Sequence, residues 1–166
     1  MNYRSIEPGD APAFWAMLNA LDDETDYMMY EPGERRERTE AARLEEGLHR
    51  TLAGGDFLWI AEENGEIAGF LHAERGGFRR NRHMAYVVVG VRAAYRRQGV
   101  GTALFARLED WARASGVVRL ELTVESANAP ARALYEKLGY TLEGLRRQSM
   151  RVNGEYEDEY YMAKLL

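Results

Sequence analysis

Cysteine is absent from the 166-residue sequence. Its absence excludes disulfide bonds, thiolate metal ligands and a cysteine nucleophile. Long hydrophobic runs are also missing, because no apolar stretch approaches the ~20 residues that a membrane-spanning helix needs. The first five residues, Met1 to Ser5, contain no apolar core of the kind found in secretory signals. These absences predict a cytoplasmic protein that does not enter membranes.

Positive charge is in deficit, since the formal net charge is -5. This balance argues against a general nucleic-acid binder and is compatible with a cationic small substrate. The length predicts one domain, residues 1–166, with a sizeable core. Histidine, aspartate and glutamate show no cluster with metal-ligand spacing, so we predict no metal site.

Hydrophobic periodicity and turn signals predict the element order β-α-α-β-β-β-α-β-α-β-β. Asn64-Gly65 and Asn153-Gly154 are predicted to close two hairpins. Asp10 and Thr39 are predicted to cap the first two helices, and the acidic, aromatic segment 22–37 between them is interpreted as a loop or irregular helix. The central strand, the helix after it and the next strand form a βαβ crossover. The order predicts a mixed sheet with helices on both faces.

The stretch Val87–Thr102, VVVGVRAAYRRQGVGT, is the most informative part of the chain. An apolar strand passes through a basic turn into a helix that opens on glycines. Backbone N–H groups point outward together at such a helix start, which favours a phosphate-bearing ligand. The stretch matches neither the longer phosphate-binding loop nor the dinucleotide fingerprint. From the residues alone it is either a pyrophosphate site or a helix start with exposed arginines.

Two motifs carry a resemblance to a known family. Arg96-Arg97-Gln98-Gly99-Val100-Gly101 matches the R/Q-x-x-G-x-G/A acyl-CoA signature. Asn128 together with Ala131–Tyr140, ARALYEKLGY, matches N-x-x-A-x-x-L-Y-x-K-x-G-[FY]. With both motifs in place, the sequence resembles the GNAT superfamily of N-acetyltransferases, specifically over about residues 84–144. The resemblance implies an α/β fold with a mixed, mostly antiparallel sheet, a splayed central parallel strand pair and helices on both faces.

The same resemblance implies direct transfer of an acetyl group from acetyl-CoA to a primary amine. It implies that the backbone at Val89 and Val91 pairs with the pantetheine arm, with Gly90 marking a bulge. Tyr135 would donate a proton to the leaving thiolate. The cofactor-binding residues implied by the family are Val89, Val91, Arg96, Arg97, Gln98, Gly99, Val100, Gly101, Thr102 and Asn128.

The proton acceptor for the amine is the open question, because the predicted strand Met84–Val91 contains no acid. We expect the base to be a water chain or one of the acids Glu24, Asp26, Glu31, Glu34, Glu157, Asp158 and Glu159. Glu31, with Tyr27 and Tyr30, is favoured for amine recognition because carboxylates and aromatic faces attract ammonium groups. The tyrosines are alternatively core residues of an irregular helix.

The acceptor is predicted to be the amine of a small molecule. A protein N-terminus or a lysine side chain is the alternative within the same chemistry. A non-catalytic acyl-CoA-binding module is a third hypothesis, against which the presence of both Asn128 and Tyr135 argues. The closing hairpin, rich in tyrosine, is open to pairing across a homodimer or within the chain.

Overall fold

The computed structural model describes residues 1–166 and contains seven strands and five helices. The strands are β1 (Asn2–Ser5), β2 (Phe57–Glu63), β3 (Glu66–Arg75), β4 (Met84–Val91), β5 (Arg119–Glu125), β6 (Thr141–Val152) and β7 (Glu155–Leu165). The helices are α1 (Ala11–Glu24), α2 (Glu34–Arg38), α3 (Ala41–Gly54), α4 (Val100–Ser115) and α5 (Ala129–Lys137), with 3-10 turns at Pro8–Asp10 and Ala93–Tyr95. The order agrees with the prediction, apart from the short helix α2 and the two turns.

The strands hydrogen-bond in the order β1-β2-β3-β4-β5-β7-β6. β4 and β5 are parallel, with register pairs from Met84 opposite Arg119 to Tyr86 opposite Glu121. The β1–β2, β2–β3, β5–β7 and β6–β7 pairs are antiparallel. This topology confirms the predicted α/β class with a mixed, mostly antiparallel sheet. The chain packs as two units, residues 1–74 with 88–108 and residues 75–87 with 109–166.

The first unit has a core in which α1 and α3 contribute apolar side chains together with β2 and β3. Phe14 on α1 contacts Phe70 on β3 edge to face, with ring centroids 5.3 Å apart. Gly90 lies in close contact with this core, because a Cβ there would come within 2.8 Å of Leu21 Cδ1 and of Phe70 Cε1. Gly90, which the sequence suggested as a bulge, thus has a packing role.

The second unit is built on β5, β6 and β7. Leu120, Leu122 and Met162 are fully buried in it. Lys164 on β7 forms an ion pair with Glu109 on α4 at 2.5 Å. The register of β6 shifts between Arg146 and Met150, so the edge strand carries an irregularity opposite the middle of β7.

Both predicted hairpin turns are confirmed. Asn64 and Gly65 have φ values of 54° and 82°, and Asn153 and Gly154 have values of 51° and 89°. Two consecutive residues with positive φ are typical of the type I′ turn, which matches the twist of the flanking strands.

Asp10 is the N-cap residue of α1, as predicted, whereas the cap predicted at Thr39 is wrong. The Asp10 side chain makes no capping bond to α1, because its carboxylate accepts hydrogen bonds from Arg4 at 2.6 and 2.8 Å and from the Glu7 N–H at 2.8 Å. The cap of α3 is Glu40 rather than Thr39. In both cases a nearby interaction or a one-residue shift replaced the local preference.

Candidate active site

The turn between β4 and α4 has the conformation of an anion-binding nest. Arg97 and Gly99 both have positive φ, 62° and 82°, and α4 begins directly afterwards at Val100. Such alternation directs successive N–H groups into one concavity. The first turn of α4 adds N–H groups without intrahelical partners and the positive end of the helix dipole. A Cβ added at Gly99 would meet no atom within 4 Å, so the space in front of the turn is open.

Two side chains of the motif brace the turn itself. Arg96 Nε donates to the Val91 carbonyl at 2.9 Å, and Gln98 Nε2 donates to the Ala94 carbonyl at 2.9 Å. These contacts hold the two side chains against backbone carbonyl groups of the turn and of the strand before it.

Glu24, at the end of α1, is bound to the residues that open this turn. It accepts hydrogen bonds from Arg92 Nε at 2.8 Å and from the Ala93 N–H at 2.7 Å. Burial alone would raise the pKa of Glu24, but the Ala93 hydrogen bond and the charge of Arg92 lower that pKa overall. Glu24 is one of the candidate bases named from the sequence. Its carboxylate is held ionised, and both of its oxygens already accept hydrogen bonds.

The segment predicted to recognise the acceptor is anchored by a buried ion pair. Asp22, 1% exposed, accepts from Arg35 Nε and Nη2 at 2.6 and 3.0 Å. The Arg35 guanidinium also lies 4.4 Å from the centroid of the Tyr30 ring, so one face of Tyr30 already contacts a cation. Tyr27 is exposed, and Glu31 is exposed as well.

Glu34, another candidate base, is paired within its own helix. Its Oε1 accepts from Arg38 at 2.7 Å and its Oε2 accepts from the Glu31 N–H at 3.1 Å. The Arg38 hydrogen bond lowers the pKa of Glu34, which makes this carboxylate a weak proton acceptor near neutral pH.

In the second unit, Asn128 and Tyr135 occupy the two ends of α5. Asn128 Oδ1 accepts from the Ala131 N–H at 3.2 Å, so Asn128 caps the helix. Tyr135 is buried, and its ring centroid lies 5.9 Å from that of Tyr140. Burial raises the pKa of the Tyr135 hydroxyl, and nearby Tyr86 raises it further. The Tyr135 hydroxyl therefore keeps its proton at physiological pH.

The acids of β7 differ in their surroundings. Glu159 is 7% exposed and accepts from Arg146 Nη1 at 2.9 Å. Asp158 Oδ1 accepts from the Gln148 N–H at 2.7 Å. Leu145, Arg147, Gln148 and Asp158 line a cavity of about 600 Å³. Glu157 is half-buried.

Three residues of this unit were not predicted from the sequence. Glu125, opposite Glu159 in the β5–β7 register, is a buried acid at the end of β5. Tyr86 and Thr123 hydrogen-bond through their hydroxyl groups at 2.7 Å. One signal in the sequence could have indicated two of them. Apolar and polar residues alternate clearly along β5, which places Thr123 and Glu125 on the same face of the strand.

None of the helices is both long and apolar enough to cross a membrane.

The strand, the nest and the helix, followed by a capped helix with a buried tyrosine, stand in the order that the two sequence motifs predicted. The sequence matches the acetyltransferase (GNAT) family over residues 15–140. The chain therefore belongs to the GNAT acetyltransferase family, which confirms the resemblance.

Three similar proteins carry more detail. The L-amino acid N-acetyltransferase AaaT of Escherichia coli K12 is 35% identical over 64% of this chain and 66% of its own length. The N-alpha-acetyltransferase RimI of Mycobacterium tuberculosis is 39% identical over 70% of this chain and 72% of its own. The match to AaaT covers just under two thirds of the length of that protein. A crystal structure of a GNAT-family acetyltransferase from Streptococcus pneumoniae superposes with a TM-score of 0.93, at 30% identity and over 99% of both chains.

Proposed function

We propose that this protein transfers the acetyl group of acetyl-CoA directly to a primary amine. The observation that carries the proposal is the nest at Arg97 and Gly99 in front of α4, in a chain of the acetyltransferase family. A pyrophosphate suits this site because it presents several anionic oxygens to convergent N–H groups. The turn from Gln98 to Thr102 holds the pyrophosphate, and Arg96 and Arg97 add positive charge beside it.

The remaining cofactor contacts come from β4 and α5. The backbone at Val89 and Val91 pairs with the pantetheine arm as an added strand would. The Val89 N–H polarises the thioester carbonyl and stabilises the developing oxyanion. Asn128, already the cap of α5, contacts the arm.

The reaction is a direct displacement. The neutral amine attacks the thioester carbonyl, a C–N bond forms, the C–S bond breaks and the coenzyme leaves as a thiolate. Tyr135 donates its hydroxyl proton to this thiolate, since burial keeps the tyrosine protonated. The amine gives up one proton to a base supplied by the protein or by bound water, and the Tyr135 phenolate regains a proton from solvent.

Two acids are poor candidates for that base, because hydrogen bonds and arginine charges lower the pKa values of Glu24 and Glu34. Glu31 keeps its proposed role in amine recognition, supported by its exposure next to Tyr30. Because Arg35 already covers one face of Tyr30, the carboxylate of Glu31 carries more of that role than the ring.

The acceptor is proposed to be the amine of a small molecule, and AaaT, named for amino acids, supports this class. RimI, named as an N-alpha-acetyltransferase, supports the peptide alternative.

A thiol-release assay tests the function. Purified protein is incubated with acetyl-CoA and with panels of free amino acids, polyamines and short peptides. Turnover with free amines and none with peptides supports the small-molecule class, whereas turnover with peptides alone overturns it. Acetyl-CoA binding without turnover on any acceptor overturns the enzyme proposal and favours a binding module. Gly99→Glu, which places a carboxylate in the nest, abolishes acetyl-CoA binding if the nest is the site.

A further inference from the structure

Two hydroxyl side chains join the parallel strands of the second unit. The hydroxyl oxygen of Tyr86 on β4 lies 2.7 Å from Thr123 Oγ1 on β5. The last register pair between these strands is Tyr86 opposite Glu121. Because Thr123 lies two residues beyond Glu121, the side-chain bond continues the connection after the backbone ladder has ended.

This connection reinforces a short ladder. β4 and β5 share three register pairs, whereas β5 and β7 share seven. Parallel pairing is also slightly less stable per residue than antiparallel pairing. The side-chain hydrogen bond therefore extends a short ladder.

Burial does not explain the bond. Tyr86 is 37% exposed, so its hydroxyl group could be satisfied by water at little cost. Its placement against Thr123 fixes a ring that would otherwise be free to rotate at the surface.

β5, which Tyr86 contacts through Thr123, leads directly into α5. The Asn128 N–H donates to the Glu125 carbonyl at 2.9 Å, and Asn128 caps α5. Tyr135 lies on the same helix. A shift of β5 relative to β4 would therefore move the Tyr135 hydroxyl.

We propose that Tyr86 and Thr123 form a clasp between β4 and β5 that positions Tyr135 for proton donation. Both are positioning residues, since they act through Tyr135. The inference rests on the proposed acetyl transfer.

Four variants test the clasp. Tyr86→Phe and Thr123→Val each remove the same hydrogen bond, and Thr123→Ser keeps a hydroxyl group at the position. Tyr161→Phe is the matched control, because Tyr161 lies opposite Thr123 on β7 and is also partly exposed. We expect each clasp variant to lower kcat about five- to tenfold, the scale of one hydrogen bond, while the KM for acetyl-CoA stays within about twofold. Thr123→Ser and Tyr161→Phe should retain the wild-type kcat.

The double variant decides whether the two residues act together. If they share one interaction, Tyr86→Phe with Thr123→Val should be no slower than the slower single variant. Multiplied effects, or a kcat for Tyr86→Phe equal to that of Tyr161→Phe, would overturn the clasp.

Amide hydrogen exchange of the protein without ligand separates this inference from the proposed function. The clasp predicts faster exchange at Arg119–Glu121, the residues of β5 that pair with β4, in both clasp variants and no change in Tyr161→Phe. If the wild-type protein turns over no amine, the proposed function is wrong, and the exchange data still show whether the clasp exists. Unchanged exchange in the clasp variants would overturn it.

Discussion

Glu24 and Arg92, which are 68 positions apart in the sequence, are joined by a hydrogen-bonded ion pair of 2.8 Å. The second oxygen of Glu24 accepts the Ala93 N–H at 2.7 Å. The end of α1 and the start of the turn before α4 are thereby held as one piece. We therefore expect the Glu24 carboxylate to organise the cationic turn rather than to accept protons from substrate.

Replacing Glu24 should weaken cofactor binding more than it changes chemistry. In Glu24→Ala the turn loses a charged hydrogen bond to Arg92 and an acceptor for Ala93, so we expect the KM for acetyl-CoA to rise about tenfold. The kcat at saturating acetyl-CoA should change little. Steady-state kinetics at varied acetyl-CoA concentration measures both quantities.

Asp23→Asn is the matched control for this variant. Asp23 is adjacent in sequence and pairs with Arg36 at 2.8 Å, with both side chains more than two-fifths exposed. Exposed pairs of this kind contribute little, so its kinetics should equal those of the wild type. A kcat that collapses in Glu24→Ala would instead mark Glu24 as a base.

The backbone conformation of Gly99 gives a graded prediction. A Cβ at Gly99 meets no atom, so Gly99→Ala adds only the strain of a positive φ, about 1–2 kcal/mol of unfolding free energy. Gly99→Asn should lose less, because asparagine tolerates this region. Urea denaturation measures the stabilities and calorimetry measures acetyl-CoA affinity.

Gly33 provides the control for that series, because its φ is 86° and a Cβ added there would also meet no atom within 4 Å. Gly33→Ala should cost similar stability and leave acetyl-CoA affinity unchanged. Equal affinities for Gly99→Ala, Gly99→Asn and the wild type would show that the nest does not depend on this residue.

Local signals in the sequence predicted the turns and the element order because their physical causes are local. Asn64-Gly65 needs two residues with positive φ and contains the pair best able to supply them. Asn128 caps α5 within three residues of itself. The nest also follows from one contiguous motif, and the phosphate-binding interpretation of it was possible before any fold was known.

Side-chain partners distant in sequence could not be predicted. Asp10 is the N-cap residue of α1, but its side chain makes no capping bond because its carboxylate accepts hydrogen bonds from Arg4. Asp22 becomes buried only because Arg35 folds back onto it. Tyr86 and Thr123 are 37 positions apart in the sequence. Their pairing depends on the register of β4 and β5, which no local pattern encodes.

The glycines of β3 and β4 should resist enlargement to different degrees. A Cβ at Gly69 would come within 2.7 Å of the Gly90 carbonyl oxygen, whereas one at Gly90 would meet the side chains of Leu21 and Phe70 at 2.8 Å. Because backbone yields less readily than side chains, Gly69→Ala should be the more destabilising variant. Overpacking costs about 1–3 kcal/mol, and urea denaturation ranks the two.

A compensating substitution checks the cause at Gly90. Leu21→Val shortens one of the two obstructing side chains and should make Gly90→Ala less costly in the double variant than in the wild-type background. Strictly additive effects would show that Leu21 is not the obstacle.

His72 should make stability depend on pH. Burial lowers the pKa of His72, and the nearby charges of Asp56 and Glu74 only partly offset it. The folded state therefore binds the proton less readily than the unfolded chain, in which the pKa is about 6.5. The contribution of His72 to the free energy of unfolding is fully present above about pH 6.5. It is lost as the pH falls toward the lower pKa of the folded state.

The measurement is the free energy of unfolding at pH values above and below the ordinary histidine pKa of about 6.5. His72→Gln should flatten the decline below about pH 6.5. An identical slope in wild type and His72→Gln would assign the pH dependence to other groups.

Tyr135→Phe isolates the proposed proton donor. The substitution keeps a buried ring against Tyr140 and removes only the hydroxyl group, so the fold and the acetyl-CoA affinity should be retained. We expect kcat to fall by about 10²-fold, the lower range for loss of a general acid. Burial raises the pKa of Tyr135 above the ordinary value of about 10, so the wild-type kcat should show no alkaline decline from this group below pH 10.

Tyr140→Phe, which removes a second buried hydroxyl in the same cluster, should leave kcat near the wild-type value. Equal kcat values for Tyr135→Phe and Tyr140→Phe would remove Tyr135 from the acid role and leave protonation of the thiolate to solvent.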